Sequence, residues 1–162
     1  MGDPQLPSKV SAVKYAVTEI FSTIQGEGLN AGTPATFVRF RGCNLWSGHD
    51  AHRERDAARN AVKCPLWCDT DFRSGEMMSL DDVVADVVSR PANLVVFTGG
   101  EPFLQLDRAL TSRLNDHSMI LAVETNGLVK PKEEGIVLHH ICVSPKAPAD
   151  RLVIRSGAEF KV

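Results

Sequence analysis

Residues 79–102 have the sequence SLDDVVADVVSRPANLVVFTGGEP, and this stretch decides the class of the fold. Its first apolar residues recur at helical spacing and predict an amphipathic helix: Leu80, Val83, Val84, Val87 and Val88. Ser79 stands where an N-cap is expected, and Asp82 follows three residues later in a capping-box arrangement. Pro91 ends the helix, and the fully apolar residues 94–97 then predict a strand that is buried on both faces. The stretch is therefore one helix and one strand of an α/β protein.

Further strands and a second helix extend this pattern in both directions. We expect strands at residues 16–21, 35–40, 119–123, 141–143 and 159–162, and a second helix through Phe103, Leu106, Leu110 and Leu114. Strands and helices that alternate in this way predict parallel βα units with right-handed crossovers. Residues 44–63 carry many charges and little apolar periodicity, so we expect most of them to be solvated. The sequence predicts a flexible arm at residues 1–14 and one α/β domain at residues 15–162.

The composition is that of an ordinary globular protein, and it argues against some classes of partner. With 162 residues, the chain has room for one domain of the usual size. Its 18 basic and 20 acidic residues give a formal charge of −2, so no strong positive field favours nucleic acid or an anionic membrane. No apolar run of about 18 residues and no secretory signal is evident. We therefore expect a cytoplasmic protein that binds neither nucleic acid nor membrane.

Polar residues directly follow three of the apolar strands. They are residues 98–101, residues 124–126 and residues 144–146. In a parallel sheet, ligands bind at the carboxyl ends of the strands, so these three segments are expected to face one site. Gly99 and Gly100 would let backbone amides approach a ligand closely, although a Gly-Gly pair between a strand and a helix is also a common simple turn.

Cysteine usage points to a metal site with an open position. Cys43, Cys64 and Cys68 have the spacing C-x20-C-x3-C, whereas Cys142 lies in an apolar run and is interpreted as a buried hydrophobic residue. Three thiolates without a fourth suit a catalytic zinc or an iron–sulfur cluster with one iron free for a substrate. For zinc, a fourth ligand could come from a histidine: His49, His52, His139 or His140. Three unconnected thiols are the third possibility.

A set of motifs gives the chain a family resemblance. The motifs are residues 22–28 (STIQGEG), 37–46 (FVRFRGCNLW), 68–72 (CDTDF), 98–102 (TGGEP), 124–127 (ETNG) and 143–146 (VSPK). Together they resemble the 7-carboxy-7-deazaguanine synthase family of radical S-adenosylmethionine enzymes in queuosine and deazapurine biosynthesis. The resemblance runs in order from about Tyr15 to Val162.

The resemblance implies a fold, a reaction and a set of cofactors. The fold would be an incomplete parallel β/α barrel of the radical S-adenosylmethionine type that lacks its C-terminal strands. The reaction would convert 6-carboxy-5,6,7,8-tetrahydropterin to 7-carboxy-7-deazaguanine with loss of ammonia, through a 5′-deoxyadenosyl radical. The cofactors would be a [4Fe-4S] cluster, S-adenosylmethionine and Mg²⁺. A flavodoxin- or ferredoxin-type electron donor and a homodimer are also implied.

Residue roles carry over from the matching motif positions. The cluster would be held by Cys43, Cys64 and Cys68, and Mg²⁺ by Thr70. S-adenosylmethionine would be bound by Trp67, Asp69, Gly100, Glu101, Ser144, Pro145 and Lys146. The pterin would contact Ile24, Gln25, Gly26, Arg39 and Thr98, with the Arg39 guanidinium suited to the pterin carboxylate. No catalytic side chain is implied beyond the cluster and the radical.

Two departures from the family pattern keep alternatives open. The cluster spacing differs, with a first gap of twenty residues and a last pair separated by three residues. The family is expected to continue for several dozen residues beyond the stretch that matches residues 157–162, so an unpaired strand edge and impaired turnover are expected. The alternatives to the active synthase are a truncated remnant that binds cluster and S-adenosylmethionine without turnover, and a zinc-binding module that uses the three cysteines.

Overall fold

The computed structural model describes residues 13–62, 68–146 and 148–161. Within these ranges the strands are β1 (Lys14–Ile24), β2 (Pro34–Phe40), β3 (Glu76–Ser79), β4 (Leu94–Gly99), β5 (Ile120–Thr125), β6 (His140–Val143) and β7 (Glu159–Phe160). The helices are α1 (Arg53–Arg59), α2 (Leu80–Val88) and α3 (Arg108–Asp116). Short 3-10 turns lie at Gly28–Asn30, Asp50–His52, Pro102–Leu104 and Ala149–Arg151. In this part of the chain, no helix is both long and apolar enough to cross a membrane.

The described strands form one mixed sheet in the order β3-β1-β2-β4-β5-β6-β7. Pairing is parallel from β2 through β4, β5 and β6 to β7, as the alternating pattern predicts. By contrast, β1 pairs antiparallel with both β2 and β3. Only residues 25–33 connect β1 to β2, which is too short for a parallel crossover. The α/β class is therefore correct, and the sheet carries an antiparallel extension that the sequence pattern did not predict.

The two faces of the sheet have different coverings. On one face, Val95 and Phe97 of β4 pack with the apolar residues of α2 and α3 in the main core. On the other face, Leu94 and Val96 belong to a smaller apolar cluster with Ala35, Phe37 and Ala122. Because side chains alternate along a strand, the polar residues at the end of each strand lie on one of these two faces. The second face is where the candidate site lies.

Helix α2 forms as the sequence predicts. Ser79 is the N-cap, its hydroxyl accepts a hydrogen bond from the backbone N–H of Asp82, and the Asp82 carboxylate accepts one from the N–H of Ser79. Val83, Val84 and Val87 are buried against the sheet. The capping box and the apolar face therefore act together to place this helix.

The second predicted helix is interrupted. Phe103, Leu106, Leu110 and Leu114 are all buried, but the chain forms a 3-10 turn at Pro102–Leu104 and begins α3 only at Arg108. The Asp107 carboxylate caps α3 by accepting a hydrogen bond from the N–H of Leu110. Before it, the Gln105 amide bonds to the backbone of Ala16 and Arg41. The Asp107 cap and the hydrogen bonds of Gln105 therefore interrupt the helix, while its apolar residues stay in the core.

Most of residues 44–62 are exposed, as the charge pattern predicts, but the segment also forms a helix. They contain α1, in which Asp56 and Ala57 are buried, and Asn60 directly after it is buried as well.

The predicted arm falls mainly on residues 1–12, which lie outside the described residues, and β1 begins at Lys14. The division into arm and domain stays a prediction.

Candidate active site

A cleft of about 420 Å³ opens at the carboxyl ends of the parallel strands. It brings together many of the predicted site residues, namely Arg39, Cys43, Cys68, Asp69, Thr70, Thr98, Gly100, Ser144 and Lys146. The loops after β2, β4, β5 and β6 all contribute to it. This is the edge at which an α/β sheet collects its functional groups.

The Gly99-Gly100 turn fixes the backbone that leads to Cys43. Gly99 has a φ of +126°, and a Cβ at this position would collide with the carbonyl oxygen of Phe40. A Cβ on Gly100 would collide with the carbonyl oxygen of Gly42. The N–H of Glu101 donates to that same Gly42 oxygen at 2.9 Å. The glycines are therefore required for the turn to pack against the segment before the first cysteine.

Glu101 lies beneath the cleft, where its carboxylate bonds to protein groups. It is fully buried and accepts hydrogen bonds from the N–H of Phe103 at 3.1 Å, the Thr125 hydroxyl at 2.8 Å and the N–H of Asn126 at 2.9 Å. Burial raises the pKa of this carboxyl group despite these hydrogen bonds. Glu101 ties the end of β4 to the end of β5, and direct contact with a cofactor stays a prediction.

Glu124 is a cleft residue for which the sequence analysis assigned no role. Its Oε1 accepts a hydrogen bond from Gln25 Nε2 at 3.0 Å, and its Oε2 accepts one from the Thr98 hydroxyl at 3.1 Å. Lys161 Nζ lies 3.7 Å from Oε1. The available signal was its position directly after a buried strand, which placed it among the three polar strand ends. Two predicted substrate residues, Gln25 and Thr98, thus meet at one carboxylate.

Lys161 is a second residue that the sequence analysis missed. Its Nζ forms an ion pair with Glu27 at 2.5 Å. Burial alone would lower the pKa of Lys161, but the hydrogen bond to Glu27 and the charge of Glu124 outweigh it and raise that pKa. The same hydrogen bond lowers the pKa of Glu27. No local pattern indicates this role, because the pairing of β7 with β6 brings Lys161 to the cleft.

Arg39 and two phenylalanines form the wall of the cleft on the side of β1 and β2. Arg39 Nε forms an ion pair with Glu19 at 2.7 Å, and its guanidinium lies 5.7 Å from the centre of the Phe21 ring. The Phe21 and Phe37 rings stack with centres 5.3 Å apart. The wall therefore combines a partly exposed cation with a flat aromatic surface.

The remaining predicted residues fall outside the lining of the cleft. Ile24 and Gly26 are exposed near its mouth, and Pro145 lies between two residues that line it. Cys64 and Trp67 lie outside the described residues. Cys142 is buried, as predicted, and its thiol is hydrogen bonded to Glu159.

Comparisons with known proteins identify the family. No protein-family model matches the chain. The 7-carboxy-7-deazaguanine synthase of Burkholderia multivorans is 46% identical over 159 residues, which cover 91% of this chain and 70% of that protein. The synthase of Caulobacter vibrioides is 44% identical over 91% of this chain and 70% of its own length. The chain belongs to the 7-carboxy-7-deazaguanine synthase family. The predicted resemblance is confirmed.

A solved structure supports the fold of this 7-carboxy-7-deazaguanine synthase family member. The crystal structure of QueE from Escherichia coli matches with a TM-score of 0.65 at 24% identity. The match covers 86% of this chain and 65% of the QueE chain, so the chain spans just under two thirds of that structure. At this level of identity, the comparison concerns the architecture alone.

Two of the three cysteines predicted to bind a cluster line the cleft of this synthase family member. Cys43 and Cys68 line the same cleft and are both partly buried. Cys43 Sγ accepts a hydrogen bond from the N–H of Leu45 at 3.4 Å, the kind of backbone contact that tunes cluster sulfurs. Burial raises the pKa of the Cys43 thiol when no metal is bound. Thiol chemistry and placement therefore fit the predicted cluster.

The described residues neither test the full cysteine trio nor provide a preformed metal cage. Among residues 13–62, 68–146 and 148–161, no group of three His, Cys, Asp or Glu side chains could hold a metal ion. Cys64 is not in these ranges, so the ligand set of Cys43, Cys64 and Cys68 stays a prediction. The same holds for Mg²⁺ at Thr70, which lines the cleft.

Proposed function

We propose that the chain carries the chemistry of a radical S-adenosylmethionine lyase that converts 6-carboxy-5,6,7,8-tetrahydropterin to 7-carboxy-7-deazaguanine with loss of ammonia. Family membership supports the reaction. The observation that carries the proposal is that Cys43 and Cys68 share one cleft with Arg39, Thr98 and Glu124. The proposed cluster site and the proposed site for a polar planar substrate would therefore lie side by side.

The cofactor half of the cleft is assigned to the cysteines and the glycine turn. Cys43, Cys64 and Cys68 would hold a [4Fe-4S] cluster, and Gly100, Asp69, Ser144 and Lys146 would surround the adjacent S-adenosylmethionine. The proposed S-adenosylmethionine contacts also include Trp67, Glu101 and Pro145. These residues would hold the cluster and S-adenosylmethionine side by side, and the bound pair would supply the electron and the radical chemistry that the reaction needs. Thr70 is the proposed position for Mg²⁺.

The substrate half of the cleft is assigned to the residues around Glu124. In the described part of the chain, the Glu19 carboxylate accepts from the Nε of Arg39 and no partner is seen for the Nη nitrogens, which can pair with the substrate carboxylate. The Glu124 carboxylate already accepts from Gln25 and Thr98 and can accept further N–H donors of a pterin ring. The stacked Phe21 and Phe37 rings provide an apolar surface for that ring. Ile24 and Gly26 are proposed contacts at the mouth of the cleft.

Other features of the proposal concern architecture and partners. Five strands with parallel pairing and helices α2 and α3 packed on one face are what a partial β/α barrel requires. We extend the proposal to a cytoplasmic homodimer that receives its electron from a flavodoxin- or ferredoxin-type protein. Sedimentation and reduction by a purified flavodoxin test these two features.

Metal content after anaerobic reconstitution tests the cluster. Wild-type protein treated with iron and sulfide is expected to turn brown and to bind about four irons per chain. Cys64→Ala should lose the cluster. Cys142→Ser is the matched control, because Cys142 is buried on β6 and does not line the cleft. A colourless protein that binds one zinc would support the zinc-binding module and overturn the radical proposal.

Turnover is tested with dithionite, S-adenosylmethionine and the carboxypterin. The proposal predicts 5′-deoxyadenosine and 7-carboxy-7-deazaguanine together. Absence of deoxyadenosine from protein that holds its cluster would overturn the radical chemistry. Deoxyadenosine without the deazaguanine product would limit this chain to cofactor binding and cleavage.

A further inference from the structure

Arg53 connects the segment that follows the first cluster cysteine to the third cluster cysteine. It is the first residue of α1, in the stretch between Cys43 and Cys64. Its Nη1 donates a hydrogen bond to the backbone carbonyl oxygen of Cys68 at 2.7 Å. Its guanidinium lies 3.8 Å from the centre of the Trp46 ring, three residues after Cys43. One side chain therefore contacts both cysteine-bearing segments.

The surroundings of Arg53 indicate which of its contacts matter. The Arg53 side chain is 20% exposed, and Trp46 is buried. Its Nε also pairs with Asp50 at 2.9 Å, but the Asp50 side chain is 87% exposed. An exposed ion pair contributes little, whereas a charge-assisted hydrogen bond and a close cation–π contact in a partly buried site contribute more. Among the described contacts of Arg53, those with Trp46 and the Cys68 carbonyl are therefore expected to contribute most to its position.

Helix α1 is itself fixed to the segment that follows Cys43. The Asp56 carboxylate accepts a hydrogen bond from the N–H of Ser47 at 2.9 Å. Asn60 donates to the carbonyl oxygen of Leu45 at 2.8 Å. These bonds hold residues 45–47 against the helix, so the backbone that carries Arg53 is fixed relative to this segment. The charged stretch between the first two cysteines therefore contains a helix that is hydrogen bonded to residues 45–47 and positions Arg53.

We propose that Arg53 is a positioning residue for the cluster, which holds the backbone of Cys68 at a fixed place relative to Cys43 and puts a positive charge beside the cluster ligands. This inference rests on the proposed function, because it concerns the same cluster. A guanidinium has the planar set of donors to bond a carbonyl while it stacks on an indole. A fixed cation near the ligands also stabilises the reduced, more negative cluster, since charge and hydrogen bonding set cluster potentials.

The test compares three variants after anaerobic reconstitution with iron and sulfide. Arg53→Met keeps much of the packing on Trp46 and removes the charge and the donors. Arg53→Lys keeps the charge and loses the planar set of guanidinium N–H donors. Arg113→Met is the control, because Arg113 and its ion-pair partner Asp81 are both exposed and α3 packs on the face of the sheet opposite the cleft. Iron per chain, the electron paramagnetic resonance spectrum of the reduced cluster, its midpoint potential and the melting temperature of the metal-free protein are measured for each.

Arg53→Met is expected to bind less than half of the wild-type iron, and its residual cluster should show an altered spectrum and a more negative potential. Arg53→Lys should recover the potential more than the iron content, and Arg113→Met should match wild type. Full iron with an unchanged spectrum and potential in Arg53→Met would overturn the inference and leave the proposed function intact. Iron loss that is explained by a matching drop in the melting temperature of metal-free Arg53→Met and Arg53→Lys would reduce the role to folding. A wild-type protein that binds no iron would overturn both.

Discussion

The Thr125 hydroxyl donates a hydrogen bond to the fully buried carboxylate of Glu101 at 2.8 Å. This bond joins the loop after β4 to the end of β5, directly beneath the cleft. The backbone N–H groups of Phe103 and Asn126 donate to the same carboxylate. A buried carboxyl group that accepts three hydrogen bonds from the protein has a structural role, whether or not a ligand also contacts it.

Glu101→Gln should destabilise the protein by about 2 kcal/mol, because the amide NH₂ would face a backbone donor that the carboxylate now satisfies. Urea unfolding at neutral pH measures the change. Glu134→Gln, at an exposed position, is the control and should leave the midpoint unchanged. A Glu101→Gln variant of wild-type stability that has lost S-adenosylmethionine binding would show a cofactor role and contradict the structural one.

Gly100→Ala should disturb both folding and cluster assembly. The added Cβ would meet the carbonyl of Gly42 and the backbone N of Cys43, neither of which can move without shifting the first cysteine. We expect a loss of about 1–3 kcal/mol from this overpacking and a lower iron content after reconstitution. Gly26→Ala is the matched control, since a Cβ there meets nothing within 4 Å and Gly26 has no positive φ. Equal unfolding free energies for the two variants would refute the close approach.

The helices and strands were predictable where local pattern and tertiary packing agree. The capping box of Ser79 and Asp82 and the apolar face of α2 are local features, and both are present. Strand β3 gave no such signal, because Glu76 and Met77 are exposed and the strand is defined by its pairing with β1. The interruption of the second helix depends on the contacts of Gln105 with β1 and residue 41, which are distant in sequence.

The candidate site was predictable in its strand ends and less so in its interactions. Motif positions such as Cys43, Arg39 and Thr98 line the cleft, since they follow or end parallel strands. Lys161 could not be found in this way, because the long-range pairing of β6 with β7 places it near Glu27. The role of Arg53 was hidden for the same reason, as the residue looks like one charge in a charged stretch.

The Asp56 carboxylate should make the stability depend on acid pH. Hydrogen bonds from Ser47 and the charge of Arg55 outweigh burial and lower its pKa to about 2, from an ordinary value of 3.8. A carboxyl group whose pKa is lower in the folded state stabilises that state above its unfolded pKa, and the benefit disappears as the pH falls from about 4 to about 2. At neutral pH this benefit is about 2 kcal/mol.

Asp56→Asn should therefore lose stability at pH 7 and show a smaller further loss than wild type between pH 4 and pH 2. Unfolding by urea at a series of pH values measures both. Asp116→Asn is the control, because Asp116 is exposed and its carboxylate has no hydrogen bond among the described contacts. Parallel stability curves for wild type and Asp56→Asn across the acid range would contradict the assignment.

Strand β7 should depend on Glu159 more than on Lys161. Glu159 is 15% exposed in its side chain, accepts a hydrogen bond from the N–H of Leu29 at 2.6 Å and is bonded to the Cys142 thiol. The Lys161 ion pair is formed with Glu27, whose side chain is 69% exposed. We expect Glu159→Ala to cost about 1–3 kcal/mol at neutral pH, because it leaves the buried Cys142 thiol without its acceptor and the N–H of Leu29 without its protein partner, and Lys161→Met to cost less than about 1 kcal/mol.

Urea unfolding of the two variants tests this difference, and hydrogen exchange at Leu29 reports on the contact itself. Because its hydrogen bonds lower the pKa of Glu159, the cost of Glu159→Ala should shrink as the pH falls below the ordinary carboxyl range. Faster exchange at Leu29 is expected in Glu159→Ala and not in Lys161→Met. A larger loss of stability in Lys161→Met than in Glu159→Ala would show that the ion pair, and not the Glu159 carboxylate, holds the strand to the loop after β1.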